Sequence, residues 1–462
     1  MTDNPGQYEA DKFYLVSTTD KDAVLEVAQK EHVDGVLAYA SDPAAPTAAY
    51  ITEKIGLPGN PFQSVKILCN KDRFRKFLLE NGFSAPKANG YASVEDALND
   101  KAHYEYPIII KPVDSSGSKG ATVLHSEDGL TNAFEFAFSF SRCHRIIVEH
   151  FIEKKHPYLI GGDVFIENGK IVLWGLLNCH RDNSVNPLVP VGKSYPLQLE
   201  TEDVQRVKET LASMVERLGI RNGSMNVELV VDKSNRVWPI DVGPRSGGNM
   251  IPDLLGDMFG VDIAEMSVEA AMGTAIKGNI QEPNGFYATH NLHSNKNGTY
   301  KNIVFSPDIE PYIYRKCLYK KAGDAVEYFD NAAKCLGIVF FKFPKRKKVV
   351  ERYRERLSGV EGIQLSVIQE NVESNYAYFP VVFDGYKYTR NEVFAMLEEQ
   401  GITARKYFYP LTNSFECYRN YPTAGTEKTP VAQHLALRVL TLPLYADLVL
   451  EDVDRICDII LG

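Results

Sequence analysis

The sequence predicts a multidomain α/β and α+β protein, and three observations carry that prediction. Strand-like and helix-like segments alternate from the start of the chain. Near residue 345 a basic run, KRKK (345–348), separates two stretches of different texture. The 462 residues also exceed one domain of roughly 100–200 residues, so two to four domains are expected.

The first segments justify the α/β part. FYLVS (13–17) reads as a strand, DKDAVLEVAQKE (20–31) as a helix, GVLAYA (35–40) as a second strand and PTAAYITEKI (46–55) as a helix opened by Pro46. This β-α-β-α order predicts a parallel sheet. NKDRFRKFLLENGF (70–83) reads as a helix capped by Asn70 and stopped at Gly82. YPIIIKP (106–112) is a buried strand, followed by the loop SSGSKG (115–120) and the strands ATVLHS (121–126) and RIIVEHFI (145–152). DVFIENGKIVLWGLL (163–177) is a hairpin turning at Glu-Asn-Gly, and TEDVQRVKETLASMVERLGI (201–220) is an amphipathic helix capped by Thr201. SMNVELVVDKSNRVWPIDV (224–242) is a second hairpin, and GVDIAEMSVEAAMG (260–273) is a helix. Beyond the basic run, read as a solvated linker, come an aromatic strand (373–383) and the helices 389–401 and 451–461.

Composition narrows the function. Apolar residues at 44% and charged residues at 24% are the balance of a soluble globular chain. Sixty acidic against 51 basic side chains leave a net charge of −9, which disfavours a nucleic-acid partner but leaves room for a local basic pocket. With no run of about 18 apolar residues, no membrane partner is expected, and the polar start MTDNPGQYEADKF lacks the apolar stretch of a secretory signal. Cys69, Cys143, Cys179, Cys317, Cys335, Cys417 and Cys457 are odd in number and scattered. They read as free thiols of a cytoplasmic protein rather than a zinc site.

Four groups of residues carry chemistry. Lys71 starts a helix, and Lys111 ends a strand just before the Ser/Gly loop that holds Lys119, a combination suited to a phosphate chain. Singly, each lysine reads first as a surface charge, and the loop lacks P-loop spacing. Glu228 and Asp241 lie on two apolar strands thirteen residues apart, across the polar turn DKSN (232–235). Converging carboxylates repel unless a cation joins them, so Mg²⁺ is the natural occupant; on an arbitrary hairpin both would simply face solvent. Arg245, within GPRSGGN (243–249), presents its fork from a tight backbone, which suits a phosphate or carboxylate.

The ordered set NKD, IIIKP, SSGSKG, IIVEHFI, NVEL and PIDVGPRSGGN resembles the ATP-grasp superfamily, especially its carboxylate–amine ligases, over residues 10–345. The resemblance implies an ATP-grasp fold behind a Rossmann-like domain, with ATP clamped between two α+β subdomains. It implies ATP and Mg²⁺, with Mn²⁺ as the alternative metal, and activation of a carboxylate as an acyl phosphate that an amine then attacks. By position, Lys71 and Lys111 match the phosphate-binding lysines. Ser115, Ser116, Gly117, Ser118, Lys119 and Gly120 match the mobile phosphate loop, and Glu149, His150, Phe151 and Ile152 the adenine-binding hinge. Glu228 and Asp241 match the metal ligands, and Arg245 the arginine that steadies the acyl phosphate, which makes Arg245 and Lys111 the catalytic residues. Phosphoryl transfer depends mostly on such positioning and charge neutralisation.

Three departures stand out. Asp241 replaces the family's usual Glu, and Gly243 replaces a polar ligand, so the metal would lean on water or Asn249. The leading domain also looks shortened by about one β-α unit, as if an upstream start lay unread. The segment 176–196, read as an irregular polar loop, offers His180, Arg181 and Lys193 as substrate contacts, with an exposed loop as the even alternative. His290 and His293 lack a visible third ligand and read as structural.

Residues 345–462 resemble the small C-terminal domain of DegT/StrS-type sugar aminotransferases, part of fold-type I, through RKYFYPL and LTLPLY above all. Lys406 does not match the Schiff-base lysine and the large domain is absent, so no pyridoxal phosphate and no aminotransferase activity are expected. Three roles stay open for it: placing an amino-sugar substrate, docking or homodimerisation, and a fusion relic. The aromatics Tyr407, Phe408 and Tyr409 read as core first, with stacking on a sugar or base, or an interface, as the alternatives. The expected division is 1–65 (shortened leading domain), 66–345 (ATP-grasp, mobile part about 112–150) and 346–462. The expected function is an ATP- and Mg²⁺-dependent ligase joining a small-molecule carboxylate, on an amino acid or amino sugar, to an amine. The alternative is a weakened ATP-binding scaffold without ligase turnover.

Overall fold

The computed structural model describes residues 6–462, apart from 116, 308, 344, 345, 370, 371, 373, 375, 446 and 447 and the side chains of 346–348. Two compact units divide it, 1–342 and 343–462.

Unit one opens with helices α1 (Gly6–Glu9), α2 (Lys21–Glu31), α3 (Ala45–Ile55) and α4 (Phe62–Leu68). Asp20 caps α2 by accepting from the Ala23 amide, and Pro46 sits in the first turn of α3. The expected parallel sheet is absent: neither 13–17 nor 35–40 is a strand. Their β-propensity finds no ladder partner, and Leu15 stays largely and Val16, Leu37 and Tyr39 partly exposed. Helix α5 (Lys71–Glu80) is capped by Asn70, which accepts from the Arg73 amide, and the chain leaves it through Gly82 at φ 75°.

A small four-stranded sheet follows, in the order β1 (Ala88–Tyr91), β4 (Ile146–His150), β2 (Ile108–Pro112), β3 (Thr122–Leu124). Helices α6 (Val94–Asn99) and α7 (Leu130–Phe140) close its core over Ile108, Ile110, Phe134 and Ile146. This sheet takes in 88–150, a wider span than the 112–150 expected to move.

The large sheet has eight strands, ordered β12-β14-β10-β7-β6-β5-β8-β9. These are β5 (Leu159–Glu167), β6 (Lys170–Asp182), β7 (Asn186–Tyr195), β8 (Gly223–Val231), β9 (Val237–Gly243), β10 (Phe286–Leu292), β12 (Ile313–Leu318) and β14 (Gly337–Phe343). A two-stranded ribbon, β11 (Gly298–Thr299) with β13 (Ala325–Val326), stands apart. The β5–β6 turn uses Asn168 and Gly169 at φ 52° and 78°, the left-handed pair that suits a two-residue hairpin. Segment 176–196 is no irregular loop: β6 and β7 pair as a hairpin, with register shifts around Arg181. Its inward polar residues break the apolar alternation that marks a strand, which hides it in the sequence.

Helix α8 (Thr201–Leu218) sets Val207, Leu211, Met214, Val215 and Leu218 on one face, which with Phe74 and Leu78 of α5 forms one core. Its cap position is Glu200 rather than Thr201. Helices α9 (Ile251–Phe259) and α10 (Ile263–Met272) build a second core on Phe165, Leu173, Leu177 and Phe340. Each side chain so buried contributes about 1.5–3 kcal/mol. Coverage by both cores holds the sheet as a rigid platform for the residues between them.

Unit two has a three-stranded antiparallel sheet, β15 (Ile363–Leu365), β16 (Phe379–Phe383) and β17 (Val439–Leu442), in that order. Helices α11 (Arg346–Leu357), α12 (Arg390–Glu399), α13 (Pro430–Ala436) and α14 (Leu450–Leu461) accompany it, and α12 starts with a capping box of Thr389 and Glu392. Of the expected strand 373–383, Phe379–Phe383 is strand, the described residues before it are not, and 373 and 375 lie outside the described residues. Tyr407, Phe408 and Tyr409 are not core: Phe408 and Tyr409 are exposed, because Tyr353, Phe379 and Phe383 already fill the interior. Lys406 lies over the Phe394 ring at 4.2 Å.

Candidate ATP and magnesium site

The β8–β9 hairpin sets Glu228 directly opposite Asp241. Asp232 holds its turn, accepting from the Ser234 and Arg236 amides at 2.8 and 3.0 Å and from Trp238 Nε1 at 2.9 Å. Both carboxylates face a cleft of about 1060 Å³, with side chains 29% and 39% exposed. Glu228 meets Arg181 Nη2 at 3.3 Å, and Asp241 meets Lys71 Nζ at 3.5 Å. Burial pushes the Asp241 carboxyl up, but Lys71, Lys111, Arg75 and Arg245 outweigh it and hold it below its ordinary value.

Lys71 begins α5, and its ammonium donates to the Ser115 carbonyl at 2.9 Å, which ties the 115–120 loop to the carboxylate pair. Ser118 Oγ donates to the Leu188 carbonyl at 2.8 Å, and Gly117, Ser118 and Gly120 have φ of 68°, 60° and 74°. Ser116 lies outside the described residues.

Lys111 and Glu149 come from the adjacent strands β2 and β4. Lys111 Nζ meets Glu149 at 2.8 Å, and Arg75 grips the same carboxylate at 2.8 and 3.2 Å while donating to the Ile240 carbonyl at 2.6 Å. All three are buried. Burial works against the charged Glu149, yet Arg75 and Lys111 hold its carboxyl down at about 2. Burial lowers Lys111, with Glu149 opposing. Two cations on one anion leave a net positive charge at the cleft wall. The Glu149 carboxylate is thus bonded to both Arg75 and Lys111 at the cleft wall. The neighbouring His150 and Phe151 amides donate to the Lys87 and Pro107 carbonyls at 2.9 and 2.8 Å.

Arg245 lines the same cleft. Its Nε donates to Asp42 Oδ1 at 2.7 Å, its Nη2 to Asp42 Oδ2, and its Nη1 to the Ser246 carbonyl at 3.0 Å. Burial opposes its charge, but Asp42 raises its pKa overall. Asp163 braces this loop by accepting from the Gly247 amide at 2.7 Å and Asn226 Nδ2 at 2.8 Å; burial pushes its carboxyl up. Asn249, at φ 53°, faces the cleft.

The cleft brings together Lys71, Lys111, Ser115, Gly117, Ser118, Lys119, Glu149, His150, Phe151, Ile152, Arg181, Lys193, Glu228, Asp241, Arg245 and Asn249. Gly120 and His180 are not on its wall. His180 bonds Ser194 Oγ at 2.8 Å beside the Tyr158 ring, and burial lowers its pKa. Lys193 is buried, and its ammonium donates to Cys179 Sγ. His293 bonds Asp182 at 3.1 Å and the Asn291 carbonyl at 2.7 Å. No cluster of three or more His, Cys, Asp or Glu suited to a metal occurs among the described residues. Two carboxylates still fit Mg²⁺, which takes one or two from a protein and the rest from water and phosphate.

Arg75, Asp42 and Asp163 escape the sequence reading. Arg75 had a signal, since it stands four residues after Lys71 on the same helix face. Asp163, between Gly162 and Val164 in an apolar strand, had one too. Asp42 had none.

Comparison with known proteins agrees with this geometry. Residues 70–278 match the family described as carbamoyl-phosphate synthase L chain, ATP binding domain. These residues form an ATP-grasp domain. The carbamoyl phosphate synthase large chain of Clostridium beijerinckii is 24% identical over 277 residues, 58% of this chain and 24% of that one. The structure of an L-amino acid ligase from Bacillus licheniformis superposes with a TM-score of 0.60 at 20% identity, covering 73% of this chain and 84% of that one. Behind the ATP-grasp domain, residues 340–461 match the DegT/DnrJ/EryC1/StrS aminotransferase family. Over 119 residues they are 39% identical to the Escherichia coli dTDP-4-amino-4,6-dideoxy-D-glucose transaminase, 26% of this chain and 32% of that one. The chain thus spans about a third of the transaminase and about a quarter of the synthase. No helix among the described residues is long and apolar enough to cross a membrane.

Proposed function

We propose that the ATP-grasp domain is an ATP- and Mg²⁺-dependent ligase that joins a carboxylate to an amine through an acyl phosphate. The observation that carries this reading is the Glu228–Asp241 pair, set side by side and facing Lys71 across one cleft. Glu228 and Asp241 would hold Mg²⁺, which when bound neutralises phosphate oxygens. Lys71 and Lys111 would bind the phosphates, with Arg75 and Glu149 keeping Lys111 aimed. The 115–120 loop, tethered through Ser115 and Ser118, would cover them and exclude water.

The substrate carboxylate attacks the γ-phosphorus, and the bond to the bridging oxygen breaks as ADP leaves. The amine, having shed its ammonium proton, attacks the carbonyl carbon. The C–N bond forms, the C–O bond to phosphate breaks, and the remaining surplus proton leaves with inorganic phosphate. Arg245 would steady the charge on the acyl phosphate, and Arg181, Lys193 and Asn249 would contact substrate. Amino-acid or amino-sugar substrates accord with the resemblances at both ends of the chain. We also propose the division 1–65, 66–345 and 346–462 as functional domains.

Gly243 favours a second reading, an ATP-binding scaffold without turnover, because it removes a polar group next to Asp241. ADP release with Mg²⁺ across amino acids and amino sugars separates the two. Substrate-stimulated release that Glu228→Gln and Arg245→Ala abolish supports the ligase. ATP binding without stimulated release by any member of the panel supports the scaffold.

A further inference from the structure

The ligase reading, on which this inference rests, leaves one buried carboxylate, Asp42, without a role. Asp42 lies in the segment before α3, 203 residues from Arg245, yet it occupies the Nε–Nη2 edge of that guanidinium. That edge is one of the two a bidentate anion can take, and the other shares its Nη1 with the Ser246 carbonyl. The approach is built into the backbone. The Ser246 amide donates to the Tyr39 carbonyl at 2.9 Å, which docks the two loops. Position 243 has no side chain, and a Cβ there would stand 2.8 Å from Asp42 Oδ1 and 3.1 Å from Arg245 Cζ. A side chain at 243 would thus have to displace the Asp42–Arg245 pair from its present place. Both partners line the cleft and are mostly buried.

The other acids here have partners of their own. Glu149 holds Arg75 and Lys111, Glu228 meets Arg181, and Asp241 meets Lys71. If an acyl phosphate takes the Nε–Nη2 edge of Arg245, Asp42 loses its cation in a poorly solvated place. A lone buried carboxylate is strongly unfavourable unless another cation replaces the first. An ammonium arriving with the acceptor supplies one.

We propose that Asp42 is the specificity-determining anchor for the amine: it holds Arg245 until the acyl phosphate forms, then receives the substrate's ammonium and takes one of its protons, so that the neutral amine attacks and Asp42 releases that proton to water when the product leaves. The acceptor is then a cationic or zwitterionic amine, such as an amino acid or amino sugar, rather than an uncharged nucleophile. The exchange links seating of the amine to formation of the intermediate it attacks.

The test compares two nucleophiles with MgATP and a panel of carboxylates: hydroxylamine, uncharged at neutral pH, and cationic amines from the amino acids and amino sugars. In Asp42→Asn the ratio of kcat/KM for cationic amine to that for hydroxylamine is expected to fall about tenfold or more, through the amine KM, and Asp42→Glu should restore part of it. An unchanged ratio in Asp42→Asn would overturn the assignment, whatever happens to the overall rate. Wild-type protein that makes neither amide nor hydroxamate from any carboxylate would instead sink the ligase reading, and the anchor with it.

Discussion

Buried charge is handled differently in the two units. In residues 1–342 Arg75, Lys111 and Glu149 are almost wholly shielded from solvent, yet they form a triad that lies against an open cleft. In residues 343–462 the core is Tyr353, Leu397, Val453, Ile456 and their apolar neighbours. The buried Arg390 there donates to the Ala436 and Val439 carbonyls, which ties α12 to backbone rather than to a ligand. A charge that only stitches backbone needs acceptors and no more. A charge triad with surplus positive potential beside a cavity has a reason to be kept despite its desolvation cost.

The sharpest way to break this contrast is Glu149→Gln. It leaves Arg75 and Lys111 buried without their anion and should cost about 3–5 kcal/mol, read by denaturant unfolding of unit one. The linkage has a definite sign. The folded Glu149 carboxyl sits at about 2, below its unfolded value near 4.3, so its contribution is complete above about pH 4.3. That contribution is lost as pH falls from there through about 2, and Glu149→Gln should flatten the dependence. Next comes Glu228→Gln, expected to lower turnover about a hundredfold, or roughly 2.7 kcal/mol, while unfolding stays within about 0.5 kcal/mol of wild type. A large loss of stability would make Glu228 a structural acid. The smallest effect belongs to unit two: Ile456→Val should cost about 0.5–1.5 kcal/mol of its stability and leave ATP binding untouched.

What the sequence revealed follows the range of the interaction. The β8–β9 hairpin brings residues thirteen apart face to face, and Asn70 caps α5 within three residues, so pattern and turn chemistry sufficed. Arg75 to Glu149 spans 74 residues and Asp42 to Arg245 spans 203, and no local pattern records such pairs. FYLVS and GVLAYA failed the other way, because strand propensity is realised only where a neighbour completes the ladder. The β6–β7 hairpin was hidden by its own polar residues: Arg181 and Lys193 face the cleft and His180 bonds Ser194, all from strands, where a polar run reads as a loop.

The central claim is that this cleft makes an acyl phosphate. It is tested most directly by supplying carboxylates labelled with heavy oxygen, together with MgATP and an amine, and weighing the inorganic phosphate released. An acyl phosphate hands one carboxylate oxygen to phosphate, so phosphate carrying a single heavy oxygen, lost in Glu228→Gln, is the predicted result. Amide formed with wholly unlabelled phosphate would contradict the account.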